Sequence, residues 1–149
     1  PEDELYKGRI SYLLGENKDA ISYLEKAKEH KQMLASYYLG LAYDANGDSD
    51  KAKKCIAEYI KSGVATSYDL YELGMQEMQD GNYKNALTYF NSGLELEKVP
   101  NKQNLMKSAI AAYEYSGDFD SAKKMMKEYL KAYPDDEEAK HENTFLETR

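Results

Sequence analysis

The chain repeats one pattern four times, and this repetition constrains the fold more than any other feature. In each copy a glycine is followed five residues later by an alanine, and four residues after that by a large apolar residue. The four sets are Gly15, Ala20 and Leu24; Gly47, Ala52 and Ile56; Gly81, Ala86 and Phe90; and Gly117, Ala122 and Met126. The alanines are 32, 34 and 36 residues apart. A regular period of this length predicts a solenoid of stacked helical units, whose usual role is to present a surface to a partner.

The third copy shows most clearly why each repeat should be a helical hairpin. Apolar residues recur at helical spacing from Tyr68 to Met78, stop at Gly81 and Asn82, and resume from Tyr83 to Leu94. Gly81 can adopt the left-handed conformation that ends the first helix, and Asn82 can cap the second. The same pair recurs as Gly47 with Asp48 and Gly117 with Asp118, and in a weaker form as Gly15 with Glu16.

A second set of glycines predicts close contact between the two helices of a hairpin. Gly8, Gly40 and Gly74 each stand seven residues before the turn glycine, on the face of the first helix that the second approaches. The repeated alanine is their counterpart on the second helix. We expect the large residue four positions later to fill the adjacent space.

These features resemble the tetratricopeptide repeat family, whose signature spreads an aromatic residue, Leu-Gly, Tyr, Ala, Phe, Ala and Pro over about 34 residues. The matching residues are Gly8, Ala20, Leu24 and Ala27; Leu39-Gly40, Tyr43, Ala52 and Ile56; Leu73-Gly74, Ala86 and Phe90; and Tyr113, Ala122, Met126 and Pro134. The departures are Glu4, Ser36, Leu70 and Met106 at the signature tryptophan and Ile110 at the glycine of the fourth repeat. The resemblance implies an all-α, right-handed α-α superhelical solenoid of about four hairpins. It would form a single domain over residues 1–149, with repeats at 1–32, 33–66, 67–102 and 103–134.

Residues 135–149 predict a C-terminal capping helix. Pro134 closes the fourth repeat, and Asp135 with Glu138 matches a capping box at the start of a helix. Phe145 and Leu146 would then pack back onto the preceding helix. The alternative is a disordered acidic tail.

Charge and composition argue against binding to nucleic acid and against a membrane span. The net charge is −7 and no lysine and arginine cluster offsets it, so binding to nucleic acid is not expected. The apolar runs are far shorter than the ~20 residues that cross a bilayer, so no direct membrane span is expected. The single cysteine favours a reducing compartment such as the cytoplasm. Because the sequence begins at Pro1, we expect a processed or truncated chain, and an extracytoplasmic protein with a removed signal or anchor stays open.

Few residues in the chain could carry catalysis. His30 and His141 belong to different segments and have no metal-binding spacing, so we expect both at the surface. We expect Cys55 to be a small apolar residue of the core rather than a thiolate activated by the two lysines before it. The sequence therefore predicts no catalytic residue, no metal site and no cofactor.

In tetratricopeptide repeat proteins the first helices of successive repeats line a concave groove, and the resemblance implies which residues line it here. They are Leu5, Arg9 and Tyr12; Tyr37, Leu41 and Asp44; Tyr68, Tyr71, Met75 and Met78; and Lys107, Ala111, Glu114 and Tyr115. The tyrosine, methionine and leucine side chains suit apolar groups of a ligand, although they could also serve only packing. One branch of the family grips acidic chaperone tails with a clamp of basic residues. At the matching positions only Arg9 is basic, so that mode is not expected.

The sequence thus predicts a non-catalytic scaffold that binds an extended or helical segment of a protein or peptide in the groove. Two alternatives stay open. One is a structural module that self-associates into a homo-oligomer. The other is an extracytoplasmic lipoprotein or assembly factor whose anchor is missing from this chain.

Overall fold

The computed structural model describes residues 2–149, which form nine α-helices and no strand. Pro1, which belongs to the first predicted repeat, lies outside the described residues. The all-α class expected from the sequence is confirmed. The helices are α1 (Glu2–Leu13), α2 (Asn17–Glu29), α3 (Leu34–Ala45), α4 (Ser49–Lys61), α5 (Ser67–Gln79), α6 (Tyr83–Leu94), α7 (Lys102–Ser116), α8 (Phe119–Ala132) and α9 (Glu137–Leu146).

The helices belong to two compact units. Unit 1 ends at Ala65 and contains α1 to α4, and unit 2 covers Thr66–Arg149 and contains α5 to α9. Within each unit, every helix packs against the next helix along the chain. In unit 1 an ion pair between Lys28 and Glu58 also joins α2 to α4. Each unit therefore has its own core of stacked hairpins.

The turn inside each hairpin is closed by the same pair of backbone hydrogen bonds. Gly47 has a φ of 88° and donates its N–H to the carbonyl of Asp44, while the next residue, Asp48, donates to the carbonyl of Tyr43. The turns at Gly15, Gly81 and Gly117 have the same conformation and the same two bonds. This arrangement satisfies the last free carbonyls of a helix, and glycine adopts it without Cβ strain. The predicted role of these glycines is confirmed.

The predicted side-chain caps at the second helices are only partly right. Asp118 accepts a hydrogen bond from the backbone N–H three residues later, at 3.2 Å, as predicted. Asp48 stands at the N-cap of α4 but makes no such bond, because its carboxylate accepts from Asn46 Nδ2 at 3.2 Å. Asn82 also makes no side-chain cap bond. Position in the turn was therefore predictable, whereas the side-chain bond was not.

The glycines of the first helices lie directly against large side chains of the second helices. A Cβ atom on any of them would overlap a buried side chain. The distances from that Cβ would be 2.5 Å from Gly8 to Leu24 Cγ, 2.4 Å from Gly40 to Ile56 Cδ1, and 2.3 Å from Gly74 to Phe90 Cε1. Because these partners are buried and interiors are closely packed, only glycine fits at each site.

The start of α9 differs from the prediction by one residue. The helix is capped by Asp136, whose Oδ1 accepts from the backbone N–H of Ala139 at 3.1 Å. The predicted capping box of Asp135 with Glu138 is therefore wrong. Asp136 is held in place because its other oxygen also accepts a hydrogen bond from the Tyr129 hydroxyl group of α8.

The end of α9 packs on unit 2 as a capping helix. Leu146 is fully buried in a cluster that includes Met126 and Tyr129, so this segment is not a disordered tail. Phe145, however, is 47% exposed, and the guanidinium carbon of Arg149 lies 4.0 Å from its ring centre. Of the two predicted packing residues, only Leu146 enters the core.

Candidate functional site

In unit 1 the candidate groove residues of α1 lie next to those of α3, because these two helices contact each other. Leu5 and Tyr12 are half-buried and pack against the core of the unit. Arg9 is exposed, and its guanidinium carbon lies 4.9 Å from the ring centre of Tyr38 on α3. Such a contact is worth about 0.5–1 kcal/mol at an exposed site. The contact holds Arg9, the only cationic residue among the candidate groove residues of α1, against α3.

The candidate residues of α3 form a small aromatic surface. The ring centre of Tyr37 lies 5.1 Å from that of Tyr38 and 5.2 Å from that of Tyr59. Leu41 is half-buried one turn further along the helix, and Asp44 is exposed at its end. Tyrosine rings that are already held by neighbours lose little conformational entropy when a ligand covers them.

In unit 2 the start of α5 is held by two sets of hydrogen bonds. Thr66 and Asp69 form a reciprocal capping box, with bonds of 2.9 and 3.2 Å. This box was not predicted from the sequence, although a threonine followed three residues later by an acid is its signature. The side chain of Asn101, which is buried at the start of α7, donates to the carbonyl of Ser67 at 3.1 Å. The bond from Asn101 therefore joins the start of α7 to the start of α5.

The candidate residues of α5 divide into two groups. Tyr68 is 56% exposed and projects from the first turn of the helix. Tyr71, Met75 and Met78 are half-buried and pack against the cluster that contains Phe90, with ring centres 6.3 Å apart for Tyr71 and Phe90. These three residues therefore contribute to packing, and they also keep part of their surface available to a ligand.

Lys107 of α7 is held by the capping helix. Its Nζ lies 3.1 Å from Asp136 Oδ2, and this contact raises the pKa of the lysine. The bonds from the Tyr129 hydroxyl, the Ala139 amide and Lys107 lower the pKa of Asp136 to about 2. Lys107 thus ties α7 to the start of α9. Ala111, one turn later on α7, is half-buried.

Glu114 lies on α7 against α9, where it faces a second carboxyl group. Burial, together with a hydrogen bond and repulsion from Glu142, raises the pKa of Glu114 to about 8. Within residues 2–149, the buried Oε1 atom of Glu114 accepts no hydrogen bond from an N–H group or a hydroxyl group. Two carboxyl groups hydrogen bond only when one of them holds a proton, and the raised pKa places that proton on Glu114 at neutral pH. Sequence analysis could not find this pair, because the two residues lie in different helices.

The raised pKa of Glu114 makes unit 2 less stable as the pH rises. The unfolded chain releases this proton near pH 4.5, whereas the folded chain keeps it up to about pH 8. The contribution of Glu114 to stability is therefore greatest at low pH, falls between these two values, and levels off above them. A full shift of this size corresponds to about 5 kcal/mol. Since Glu114 is partly exposed, we expect solvent screening to reduce the effect to about 1–2 kcal/mol.

Tyr115, at the end of α7, is 69% exposed but has an aromatic neighbour. Its ring stacks on that of Tyr83 at 5.4 Å, with an interplanar angle of 15°. This stack presents a flat apolar edge beside the turn at Gly81.

The residues considered for catalysis are dispersed. His30 and His141 are exposed, as predicted. Cys55 is buried, as predicted, and burial raises the pKa of its thiol despite the nearby Lys28 and Lys54. Within residues 2–149 no three histidine, cysteine or acidic side chains are grouped closely enough to hold a metal ion. None of the helices in this range is long and apolar enough to span a membrane.

Comparison with known families identifies the class of protein. The tetratricopeptide repeat model matches residues 34–62 and 103–136, which contain the hairpins α3 with α4 and α7 with α8. The two matched hairpins are therefore repeats of the tetratricopeptide family. Members of this family generally mediate protein–protein interactions and are typically non-catalytic. A search of curated proteins finds no match to the chain.

Proposed function

We propose that this chain is a non-catalytic scaffold that binds an apolar segment of a protein or peptide along its first helices. Two surfaces support the proposal. One is the surface of α3 around Tyr37 and Leu41 in unit 1, and the other is the surface of α5 from Tyr68 to Met78 in unit 2. Both combine tyrosine with aliphatic side chains, the mixture that usually supplies anchors in protein interfaces.

The proposal rests mainly on the solvent exposure of the candidate residues on α5. Tyr68 is 56% exposed on a helix whose start is fixed by a capping box and by Asn101. Beside it, Tyr71, Met75 and Met78 keep partial exposure although they pack on the core. A large aromatic ring on a rigid support, next to adaptable methionines, can bury much apolar area at little entropic cost.

The charges around these surfaces indicate how a ligand would be recognised. Lys107 is paired with Asp136, and Arg9 lies on the Tyr38 ring, so neither provides a clamp for a carboxylate. Asp44 is exposed on α3. We therefore expect apolar contacts to dominate binding, with only moderate dependence on salt.

A peptide array tests the proposal over many candidate ligands at once. Purified protein is applied to arrayed peptides of graded apolar content, and the affinities of the best ligands are measured by fluorescence anisotropy. Tyr68→Ala should weaken binding about tenfold, the loss typical of an interface anchor. Tyr23→Ala, on the second helix α2, is the matched control and should bind within about twofold of the parent chain.

Circular dichroism must show the same helix content in both variants. Equal loss of affinity for Tyr68→Ala and Tyr23→Ala would place the binding surface elsewhere. An array on which the parent chain binds no apolar peptide would also refute the proposed ligand class.

A further inference from the structure

Helix α1 and the turn after it carry large apolar side chains on the side away from the core. Gly8 and Ser11 of α1 are buried against the rest of unit 1. Tyr6, Ile10 and Leu13 of α1, together with Leu14 in the following turn, are exposed to solvent. Their exposed fractions are 66% for Tyr6, 40% for Ile10, 78% for Leu13 and 67% for Leu14.

These four residues, the α1 stripe, form one continuous surface. At about 100° per residue, Tyr6, Ile10 and Leu13 fall within an arc of about 60° on the side of α1 away from Gly8 and Ser11, and Leu14 extends the stripe by about 40°. Their exposed side chains amount to roughly 400 Å² of apolar surface. A contiguous patch of that size on a soluble protein usually marks an interaction site.

The α1 stripe is separate from the candidate groove. Leu5, Arg9 and Tyr12 lie outside the arc of the stripe, on the side of α1 between its exposed and its buried face. An occupant of the stripe would leave those three residues uncovered. The stripe and the candidate groove could therefore bind different partners.

The outer surface of α9 does not match the stripe. Glu137, Glu138, Lys140 and His141 are all exposed there. A head-to-tail contact between the α1 stripe of one copy and this surface of the next would bury charges against apolar side chains, which is unfavourable. If the α1 stripe packs on the same stripe of a second copy, no charges are buried against apolar side chains. The two copies then form a closed dimer with two-fold symmetry.

The acidic first turn of α1 favours an antiparallel pair. Glu2, Asp3 and Glu4 all lie in this turn. A parallel pair would bring these acids of the two copies together, whereas an antiparallel pair with Ile10 on the two-fold axis holds them apart. The two helix dipoles then also run in opposite directions.

We propose that the α1 stripe is a homodimer interface in which the two α1 helices pair antiparallel around Ile10. Two stripes bury roughly 800 Å², and the flanking polar side chains raise this to about 1,000–1,200 Å². That range is typical of weak complexes rather than permanent ones. The dimer should therefore form reversibly, at micromolar concentrations or above.

Sedimentation velocity over a range of concentrations tests this interface. The parent chain should shift from monomer to dimer as its concentration rises. The double variant Tyr6→Gln with Leu13→Gln should stay monomeric at concentrations where the parent chain is mostly dimer. Val64→Gln replaces an exposed apolar residue outside the stripe and should dimerise like the parent chain.

Disulfide trapping tests the orientation, with Cys55→Ser as the background to remove the native thiol. Ile10→Cys should give a covalent dimer under mild oxidation, because the two residues meet at the axis. Glu2→Cys should not, because antiparallel helices hold these ends apart, whereas a parallel pair would cross-link both.

Two results would overturn the proposal: a parent chain that stays monomeric throughout, or a dimer that the stripe variant leaves unchanged. A dimer that Tyr68→Ala disrupts would place self-association at the groove instead. Peptide binding that persists in the monomeric stripe variant would show that the groove and the dimer interface are independent.

Discussion

Replacing Gly74 by alanine tests the packing unit that the chain repeats. The new Cβ atom would lie 2.3 Å from Phe90 Cε1 and 2.6 Å from Cδ1, well inside contact distance. Phe90 is fully buried, so its ring has no free space into which to move. The two helices must therefore separate, or the ring must leave its preferred rotamer.

The magnitude of the effect follows from two opposing contributions. Overpacking a closed core destabilises a protein by about 1–3 kcal/mol. Alanine in place of glycine inside a helix stabilises it by about 1 kcal/mol. An overlap this close lies in the upper part of the overpacking range, about 2–3 kcal/mol, so we expect Gly74→Ala to lower the free energy of unfolding by about 1–2 kcal/mol.

Gly93→Ala is the matched control for Gly74→Ala. Its Cβ would lie 3.2 Å from a methyl group of Leu105, so a shift of a few tenths of an ångström relieves the contact. Gly93 lies in the last turn of α6, where the gain in helix propensity is smaller than inside a helix, so we expect a change in stability close to zero. Phe90→Leu in the Gly74→Ala background removes the ring edge and should recover part of the loss.

Urea denaturation followed by circular dichroism measures all four chains. A Gly74→Ala variant as stable as the parent chain, or more stable, would refute the packing argument. A Gly93→Ala variant as unstable as Gly74→Ala would show that the loss comes from the backbone rather than from contact with Phe90.

The remaining predictions concern the attachment of α9. Glu114→Gln removes the carboxyl group whose pKa is about 8 and should raise the free energy of unfolding by about 1–2 kcal/mol at pH 8, with little change near pH 4. Denaturation at both pH values measures this, and equal effects at both would contradict the role of the proton on Glu114. Leu146→Ala should lower stability by about 2–3 kcal/mol, whereas Phe145→Ala should lower it by less than about 1 kcal/mol. Similar losses in thermal or urea denaturation would show that Leu146 is not the anchor of α9.

The repeat, the turns and the packed glycines were predictable because each depends on residues close in sequence. A left-handed turn at Gly81 requires only the absence of a Cβ atom and a helix on each side. The contact of Gly74 with Phe90 lies within one hairpin, 16 residues apart, and its counterparts recur with the period of the repeat. Local chemistry repeated at a fixed interval therefore specifies the hairpins.

Details that depend on one particular neighbour were not predictable. Asp48 and Asp118 occupy the same place in their turns, yet Asp48 bonds to Asn46 and only Asp118 caps its helix. The sequence predicted Asp135 as the cap of α9, but the structure has Asp136 there, which also accepts a hydrogen bond from the Tyr129 hydroxyl group. In each case the aspartate has alternative hydrogen-bond partners that differ little in energy. A sequence pattern does not show which of them it binds.

The sequence by itself determined the helical repeat and the family, because period and turn chemistry are local properties. Only the tertiary structure decided how each surface residue is used. It placed Glu114 against Glu142 and left Tyr68 exposed, while Met75 packs on the core. It also left the apolar stripe on α1, around Ile10, exposed and without a neighbour in unit 1. Burial depends on which helices meet, and that is set by the packing of the whole unit rather than by any single segment.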